Sequence, residues 1–189
     1  MHPEIFVTVD DHQQHAVVDV SQHLAASGRH GLALTESGDV LAFGQLRSGE
    51  GPLRDLPAPA KIEHLGAIIA VGAGSNHELA LEAGALLAAW GDNRDGQLGA
   101  DPSLERTRLL PGQISDITSV VKICGGAEHS LALTDDRQVH AWGSNDTGQL
   151  GTATPVGGVR HTPRSVGLSG IRNIAAGAYH SLAIDGARA

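Results

Sequence analysis

The chain has 189 residues, of which 41% are hydrophobic and only 3% are aromatic. Its formal charge is -8, from 13 Lys and Arg against 21 Asp and Glu, which excludes the generally basic surface that nucleic acids and anionic membranes require. Cys124 is the single cysteine, so an intramolecular disulfide is excluded and a buried, unreactive thiol is expected.

The amino-terminal part, residues 1–17, is predicted to form a strand followed by a polar loop. The strand is residues 5–9 (Ile-Phe-Val-Thr-Val), and the loop contains side chains that bind metals elsewhere: Asp10, Asp11, His12 and His15. We interpret this stretch as a solvated loop and predict no metal site. It has no basic start followed by an apolar run, and no segment of the chain reaches the roughly 18 apolar residues of a membrane span. A soluble, cytoplasmic protein is therefore expected.

From residue 18 onward the sequence repeats itself about every fifty residues. A histidine leads each copy, followed by small and aliphatic residues, as in His129-Ser130-Leu131-Ala132-Leu133; the other three histidines are His30, His77 and His180. Thirteen residues after each of the first three histidines comes an aromatic residue and a glycine: Phe43-Gly44, Trp90-Gly91 and Trp142-Gly143. Two copies then continue to Gly-Gln-Leu-Gly, at 96–99 and 148–151. The predicted repeats are 18–66, 67–117, 118–170 and a partial 171–189.

Each repeat is predicted to fold as short strands. Segment 119–124 is β-branched and apolar, Leu131 and Leu133 share one strand face, and the turn at 135–137 makes a hairpin with 139–142. An outer strand is predicted near 164–166. Four short strands per fifty residues are typical of a propeller blade, whereas 25 glycines do not fit a helical solenoid. The fold prediction is therefore all-β: residues 1–189 form a single β-propeller domain of four-stranded blades, as a half-propeller or incomplete ring.

The strings at 129–134 (His-Ser-Leu-Ala-Leu-Thr) and 141–151 (Ala-Trp-Gly-Ser-Asn-Asp-Thr-Gly-Gln-Leu-Gly) resemble the repeat of the regulator of chromosome condensation family. The resemblance spans about 18–185 and implies a β-propeller, usually of seven blades. The first repeat departs from it: Ser27 replaces a glycine, Leu46 replaces the asparagine, and 49–52 reads Gly-Glu-Gly-Pro.

Three repeats and a partial fourth do not complete a seven-bladed ring. We predict self-association of two half-propellers into a closed propeller. The alternatives are that the amino-terminal strand pairs with the fourth repeat, or that the chain is a fragment of a longer one.

The repeated residues are interpreted as structural. A propeller places the four histidines on different blades, so each is predicted to bond the backbone of its own blade rather than share a metal ion. The Gly-Gln-Leu-Gly segments lack the Gly-Lys-Ser/Thr ending of a phosphate loop. They are predicted to be turns in which Gly96 and Gly148 adopt positive φ and Leu98 and Leu150 plug the space between blades. Phe43, Trp90 and Trp142 are expected to pack between blades. No catalytic, cofactor-binding or metal-binding residue is predicted, and the chain is not expected to be an enzyme.

The sequence therefore predicts a protein-protein interaction scaffold that needs no cofactor. Its candidate surfaces are the variable segments 47–60, 100–113 and 152–169, the last two of which carry six polar side chains: Glu105, Arg106, Arg108, Arg160, His161 and Arg164. The resemblance implies two alternatives. One is a guanine nucleotide exchange factor for a Ran-like GTPase, although the regular repeat spacing leaves no room for the wedge that such family members insert. The other is a proteinaceous enzyme inhibitor.

Overall fold

The structure is a computed structural model, and it describes residues 24–47, 53–152 and 157–186. Every regular element in these ranges is a β-strand, which confirms the all-β prediction. The strands are β1 (Leu24–Ala26), β2 (His30–Leu34), β3 (Val40–Arg47), β4 (Leu53–Lys61), β5 (Ile68–Ala73), β6 (His77–Glu82), β7 (Leu87–Asp92), β8 (Thr107–Ile114), β9 (Val120–Gly125), β10 (His129–Thr134), β11 (Val139–Ser144), β12 (Val159–Ser165), β13 (Ile171–Ala176) and β14 (Ser181–Asp185).

The strands form four antiparallel sheets in which each strand pairs with the next one along the chain. The first three sheets have four strands each, β1–β4, β5–β8 and β9–β12, and the fourth pairs β13 with β14. The predicted hairpin is confirmed, because β10 pairs with β11 in a register that ends at Leu133 and Val139. The outer strand of the third sheet is longer than predicted, since β12 already begins at Val159.

Successive sheets stand face to face like propeller blades. Contacts join β2 to β5, β6 to β9 and β10 to β13, and the innermost strands β1, β5, β9 and β13 contact one another in turn. The propeller architecture with four-stranded blades is therefore confirmed, as a partial ring. The predicted repeat boundaries stay predictions, and the predicted strand and loop at 1–17 lie outside the described residues. The described ranges contain no helix that could cross a membrane.

The hydrophobic core is divided into three clusters, each between two sheets. Alternation along β10 explains this arrangement, because neighbouring side chains of a strand point to opposite faces. Ala132 packs with Leu79 and Leu81 of the second sheet, whereas Leu131 and Leu133 pack with Ile171 and Ile174 of the fourth. The third sheet therefore buries both faces, and every residue of its second strand, β10, is buried.

Candidate protein-interaction surfaces

The repeated histidines connect neighbouring sheets. His77 Nε2 lies 2.9 Å from Ser130 Oγ, and His129 Nε2 lies 3.0 Å from Ser181 Oγ. The prediction that each histidine bonds the backbone of its own blade is therefore wrong. The physical reason is that the second strand of each sheet packs against the next sheet. There, the residue directly after the repeated histidine, Ser130 or Ser181, presents a hydroxyl group.

The hydroxyl groups fix where the histidine proton sits. Ser130 Oγ donates to Gln97 O at 2.9 Å, and Ser181 Oγ donates to Gln149 O at 2.7 Å. A serine hydroxyl has one hydrogen, so in each case the histidine donates from Nε2, and its Nδ1 has no hydrogen-bond partner among the described residues. We call each set, His77–Ser130–Gln97 and His129–Ser181–Gln149, a junction triad.

Burial keeps the triad histidines neutral. It lowers the pKa of His77 to about 3, with smaller contributions from His129 and His30. It lowers the pKa of His129 to about 4, aided by His180. Since the charged form is excluded and the ring proton is already committed, these histidines act as structural donors between sheets.

The first junction replaces the hydroxyl with a carboxylate. Glu78 occupies the position of Ser130 and Ser181, and its Oε1 lies 3.0 Å from His30 Nε2, with both side chains 1% exposed. Burial raises the pKa of Glu78, and the neighbouring His30 opposes that shift. All three described junctions thus pair a histidine with an oxygen atom of the next sheet.

The tryptophans pack between sheets, as predicted. Trp142 is fully buried among the side chains of the second sheet, and its Nε1 donates to Gln97 O at 2.8 Å. Trp90 belongs to the core cluster between the first and second sheets. Phe43 differs, because its ring lies over Gly31 of its own sheet: a Cβ built at Gly31 would lie 2.6 Å from Phe43 Cζ.

The Gly-Gln-Leu-Gly turns are held by their own side chains. Asn93 Oδ1 accepts a hydrogen bond from Leu98 N at 2.9 Å, and Gln97 Oε1 accepts one from Asp95 N at 2.9 Å. The same pattern recurs in the third sheet, where Asn145 Oδ1 accepts from Leu150 N and Gln149 Oε1 accepts from Thr147 N. Two predictions are confirmed: Leu98 and Leu150 are buried in the clusters between sheets, and Gly96 and Gly148 have positive φ. These hydrogen bonds hold each turn, and the side chains that point outward from it, in a fixed position.

Four carboxylates gather at the turns of the second and third sheets: Asp92, Asp95, Glu128 and Asp146. Burial raises the pKa of Asp95, and the charges of Asp146 and Asp92 raise it further. Burial also raises the pKa of Glu128, and the other three carboxylates add to the shift. Arg94 alone opposes both shifts, and its Nε lies 3.3 Å from Asp92 Oδ1. We call these four carboxylates the acidic patch.

The acidic patch was missed in the sequence because its members are far apart along the chain. Glu128 immediately precedes β10, while Asp95 and Asp146 lie in turns of two different sheets. The signal that could have revealed the patch is the fixed repeat register, which puts the residue before each histidine beside the turn of the preceding sheet.

The predicted variable segments use some of their polar side chains internally and expose others. Arg108 is engaged internally: its Nε and Nη2 donate to the Glu105 carboxylate at 2.9 and 2.6 Å, and its Nη1 donates to Gly112 O. Arg106, His161 and Arg164 are exposed, whereas Arg160 is half-buried. Of these segments, residues 48–52 and 153–156 lie outside the described residues.

No metal or reactive thiol site emerges from the described residues. They contain no group of three or more His, Cys, Asp or Glu arranged to hold a metal ion. The four predicted loop residues Asp10, Asp11, His12 and His15 lie outside the described ranges. Cys124 is half-buried rather than buried as expected, and its Sγ lies 3.4 Å from Ile174 O. Partial burial raises the pKa of the thiol, which opposes formation of the reactive thiolate.

Comparison with known proteins gives a consistent family assignment. The profile described as "Regulator of chromosome condensation (RCC1) repeat" matches residues 87–133 and 136–184, about half of the chain, and a second profile of that description matches 120–149. The "Ultraviolet-B receptor UVR8" of Arabidopsis thaliana is 32% identical over 138 residues, which cover 70% of this chain and 31% of the receptor. The "Guanine nucleotide exchange factor SRM1" of Saccharomyces cerevisiae is 33% identical over 178 residues, covering 86% of this chain and 37% of that protein.

The fold comparison points to the same group. The crystal structure of Prp20p from Saccharomyces cerevisiae matches with a TM-score of 0.75 and 30% sequence identity, over 86% of this chain and 41% of that one. That crystal structure was determined together with the binding properties of Prp20p to Gsp1p and histones. This chain thus spans between about a third and two fifths of the length of these three relatives.

Proposed function

We infer that this chain, which belongs to the regulator of chromosome condensation repeat family, is a non-catalytic protein-protein interaction scaffold. Its repeated polar residues are used to hold sheets and turns together, as the junction triads and the bonds of Asn93 and Gln97 illustrate. A structural requirement recurs in every blade, while the side chains left at the surface differ from blade to blade. That division supports a rigid frame that presents a binding surface.

The observation that carries the proposal is the acidic patch. Burial raises the pKa of Asp95 and Glu128, and the nearby carboxylates raise it further. The ionised patch therefore has an unfavourable electrostatic energy that a basic partner relieves. Rigid turns support the patch, so little ordering entropy is lost on binding. We therefore propose a protein partner whose contacting segment is rich in lysine or arginine. The binding of Prp20p to Gsp1p and histones supports a protein as the partner class.

The test compares two doubly neutralised variants with the same change in net charge. Asp95→Asn with Asp146→Asn removes two charges from the acidic patch. The control, Asp116→Asn with Asp135→Asn, removes two exposed carboxylates at the other ends of the strands, because Glu128 and Asp135 flank opposite ends of β10.

Each variant is cross-linked to its binding partners and captured, and quantitative mass spectrometry compares the amount of each partner recovered with the two variants. We expect the recovery of a specific partner to fall at least about fivefold with the patch variant and to stay unchanged with the control. The reason is that charge pairs at an interface contribute about 1 kcal/mol or more. Equal recovery with both variants would contradict a role for the patch in binding.

A second candidate function is guanine nucleotide exchange on a Ran-like small GTPase. The similarity to SRM1, at 33% identity over 178 residues, favours it. A nucleotide-release assay with a purified Ran-type GTPase separates the two candidates. The scaffold proposal expects release at the uncatalysed rate, and a tenfold or greater acceleration would establish the exchange function instead.

The fourth sheet bears on the predicted self-association into a closed propeller. Leu182 and Ile184 are 58% and 61% exposed, whereas Leu131 and Leu133 at the equivalent positions of the third sheet are buried. No described residue covers these two aliphatic side chains, and a row of exposed aliphatic side chains favours a partner at this face. Self-association into a closed propeller therefore stays a prediction.

A further inference from the structure

The first junction differs from the other two in the side chain that its histidine meets. At the second and third junctions, His77 and His129 each meet a serine hydroxyl. At the first junction, His30 Nε2 lies 3.0 Å from Glu78 Oε1. A serine hydroxyl does not titrate in the pH range where proteins fold, but a carboxyl group does. The first junction therefore contains two titratable groups, whereas each of the others contains one.

Burial leaves this histidine and glutamate with each other as their polar contact. Both side chains are 1% exposed. Apart from their mutual contact, the imidazole nitrogens of His30 and the carboxylate oxygens of Glu78 have no hydrogen-bond partner among the described residues. The backbone of Gly91 lies directly against the carboxylate, since a Cβ built there would lie 2.9 Å from Glu78 Oε2. A net charge on such a pair is costly, because few polar groups stabilise it.

The strands packed around the pair bring few other charges to it. Strands β1 and β5 carry no ionisable residue, and Arg47 and Glu82 stand at the ends of β3 and β6. Three ionisable residues adjoin the pair, or the glycine beside it, along the chain: Arg29, which is exposed, His77, which is neutral, and Asp92, which contacts Arg94. Burial raises the pKa of Glu78, and among the described residues only His30 opposes that shift. The protons of the pair are therefore governed by its burial and by the contact between its two members.

These conditions determine how many protons the pair holds. With one proton it has no net charge, either as two neutral groups or as an ion pair. Without a proton it carries a net negative charge, and with two protons a net positive charge, and burial disfavours both. The two groups therefore titrate as a unit, and they keep one proton over a wider pH range than the same groups do in an unfolded chain.

We propose that this pair makes the first junction a proton-dependent contact that opens as the pH rises, while the junction triads open as the pH falls. Well above pH 6.5, the ordinary value for histidine, the two groups of an unfolded chain hold no proton. The folded protein still holds one, so the first junction loses stability as the pH rises through this range. The triads have the opposite sign, because burial keeps His77 and His129 unprotonated in the folded protein.

The consequence is a selective release of the first sheet at alkaline pH. The first junction lies where β2 and β3 contact β5 and β7 of the second sheet, so its opening detaches the first sheet, while the triads with neutral histidines hold the other sheets together. Between pH 4.5 and 6.5, the ordinary values of glutamate and histidine, the folded and unfolded pair both hold one proton, and the first junction is insensitive to pH. This behaviour is independent of the acidic patch and goes beyond the proposed scaffold function.

The test measures how readily the first sheet opens at each pH. Hydrogen exchange with mass spectrometry on the full chain gives the protection of the β2 amides, corrected for the intrinsic exchange rate, from pH 5 to pH 8.5. We expect β2 protection to stay constant from pH 5 to pH 6.5 and to fall at least about fivefold from pH 7 to pH 8.5. The reason is that the loss of one proton changes an opening constant by up to about tenfold per pH unit.

Glu78→Gln is the matched variant, because glutamine has nearly the same shape, still offers an oxygen to His30 Nε2 and does not titrate. Its β2 protection is expected to stay constant from pH 7 to pH 8.5. A second variant, Glu78→Ser, places at the first junction the residue that the triads have, and the same constant protection is expected. Circular dichroism at pH 7 checks both variants for the native β signal.

Two results would overturn the proposal directly. One is a wild-type β2 protection that stays constant from pH 7 to pH 8.5, and the other is an equal fall in the wild type and in a folded Glu78 variant. If neither variant folds, the wild type decides. A fall at alkaline pH alone supports the proposal, whereas an equal fall of β2 protection towards acid pH would refute a selective release of the first sheet.

Discussion

Trp142 shows how one side chain joins two sheets. It extends from β11 into the core cluster of the second sheet, is 0% exposed, and donates to the same Gln97 carbonyl as Ser130. We expect Trp142→Ala to lower the free energy of unfolding by about 3–5 kcal/mol, the usual cost of removing a buried aromatic ring. Guanidinium denaturation measures it. Tyr179→Ala is the control, because Tyr179 is exposed and its loss should cost no more than about 0.5 kcal/mol. A loss below about 1 kcal/mol for Trp142→Ala would contradict its role in the core.

The triad histidines make stability depend on pH. Their pKa values in the folded protein, about 3 for His77 and about 4 for His129, lie below the ordinary value of 6.5. Between pH 6.5 and 4 the unfolded chain therefore binds protons that the folded chain does not. The free energy of unfolding falls as the pH falls through this window, by up to about 1.4 kcal/mol per pH unit for each histidine.

A non-titrating substitution isolates this contribution. In His129→Gln the side-chain amide can still donate to Ser181 Oγ, but it takes up no proton. We expect the pH slope of its unfolding free energy, from urea melts between pH 6 and pH 4.5, to be shallower than that of the wild type by about 1 kcal/mol per pH unit. Parallel slopes for the two proteins would show that His129 does not stay neutral in the folded state.

At the scale of elements, the two Gly-Gln-Leu-Gly turns allow the cost of a glycine substitution to be compared at equivalent positions. Gly96 and Gly148 both have positive φ, at 76° and 82°. A Cβ at Gly96 would lie 2.7 Å from the backbone Cα of His161, whereas a Cβ at Gly148 would meet no atom of the described residues within 4 Å. We expect Gly148→Ala to cost about 1 kcal/mol through backbone strain alone. Gly96→Ala should cost at least about 1 kcal/mol more, because β12 must shift. Equal melting temperatures of the two variants would contradict this difference.

The sequence predicted the structural elements correctly where the role of a residue is determined by its neighbours along the chain. The alternation in β10, the hairpin after it, and the glycine and leucine of each turn were all inferred correctly, because they depend on neighbours within a few residues. The target of each histidine was not inferred correctly. A strand pattern shows that a side chain leaves the sheet, but which atom it meets depends on the packing of the next repeat, fifty residues away.

At the scale of the whole molecule, the candidate surfaces were also hard to predict, because contacts between side chains are not visible in a strand pattern. Comparison of the repeats identified segments 100–113 and 152–169 as variable, but it did not reveal pairing within a segment, as between Glu105 and Arg108. The acidic patch was equally hidden, since its carboxylates meet only once two sheets stand side by side. The hydroxyl groups of Ser130 and Ser181 did recur after their histidines, and that recurrence was the available sign of a bond between blades.

The stacked arrangement predicts a gradient of stability around the partial ring. In such an array each sheet is stabilised mainly by its neighbours, so a sheet with one covered face opens more easily than a sheet with two. Strand β10 pairs with both β9 and β11 and is buried throughout. Strand β14, within the described residues, pairs with β13 alone and is largely exposed.

We expect the amides of β14 to exchange with solvent at least about a hundredfold faster than those of β10, through local opening of the fourth sheet. Amides of β6 serve as the internal reference, because β6 also pairs on both sides and packs against a sheet on each face. Native-state hydrogen exchange by mass spectrometry, at two protein concentrations tenfold apart, provides the measurement. Protection of β14 equal to that of β10 would mean that the exposed face of the fourth sheet, which carries Leu182 and Ile184, is covered. If that protection rises with concentration, the cover is a second copy of the chain, and if it does not, the cover belongs to the same chain.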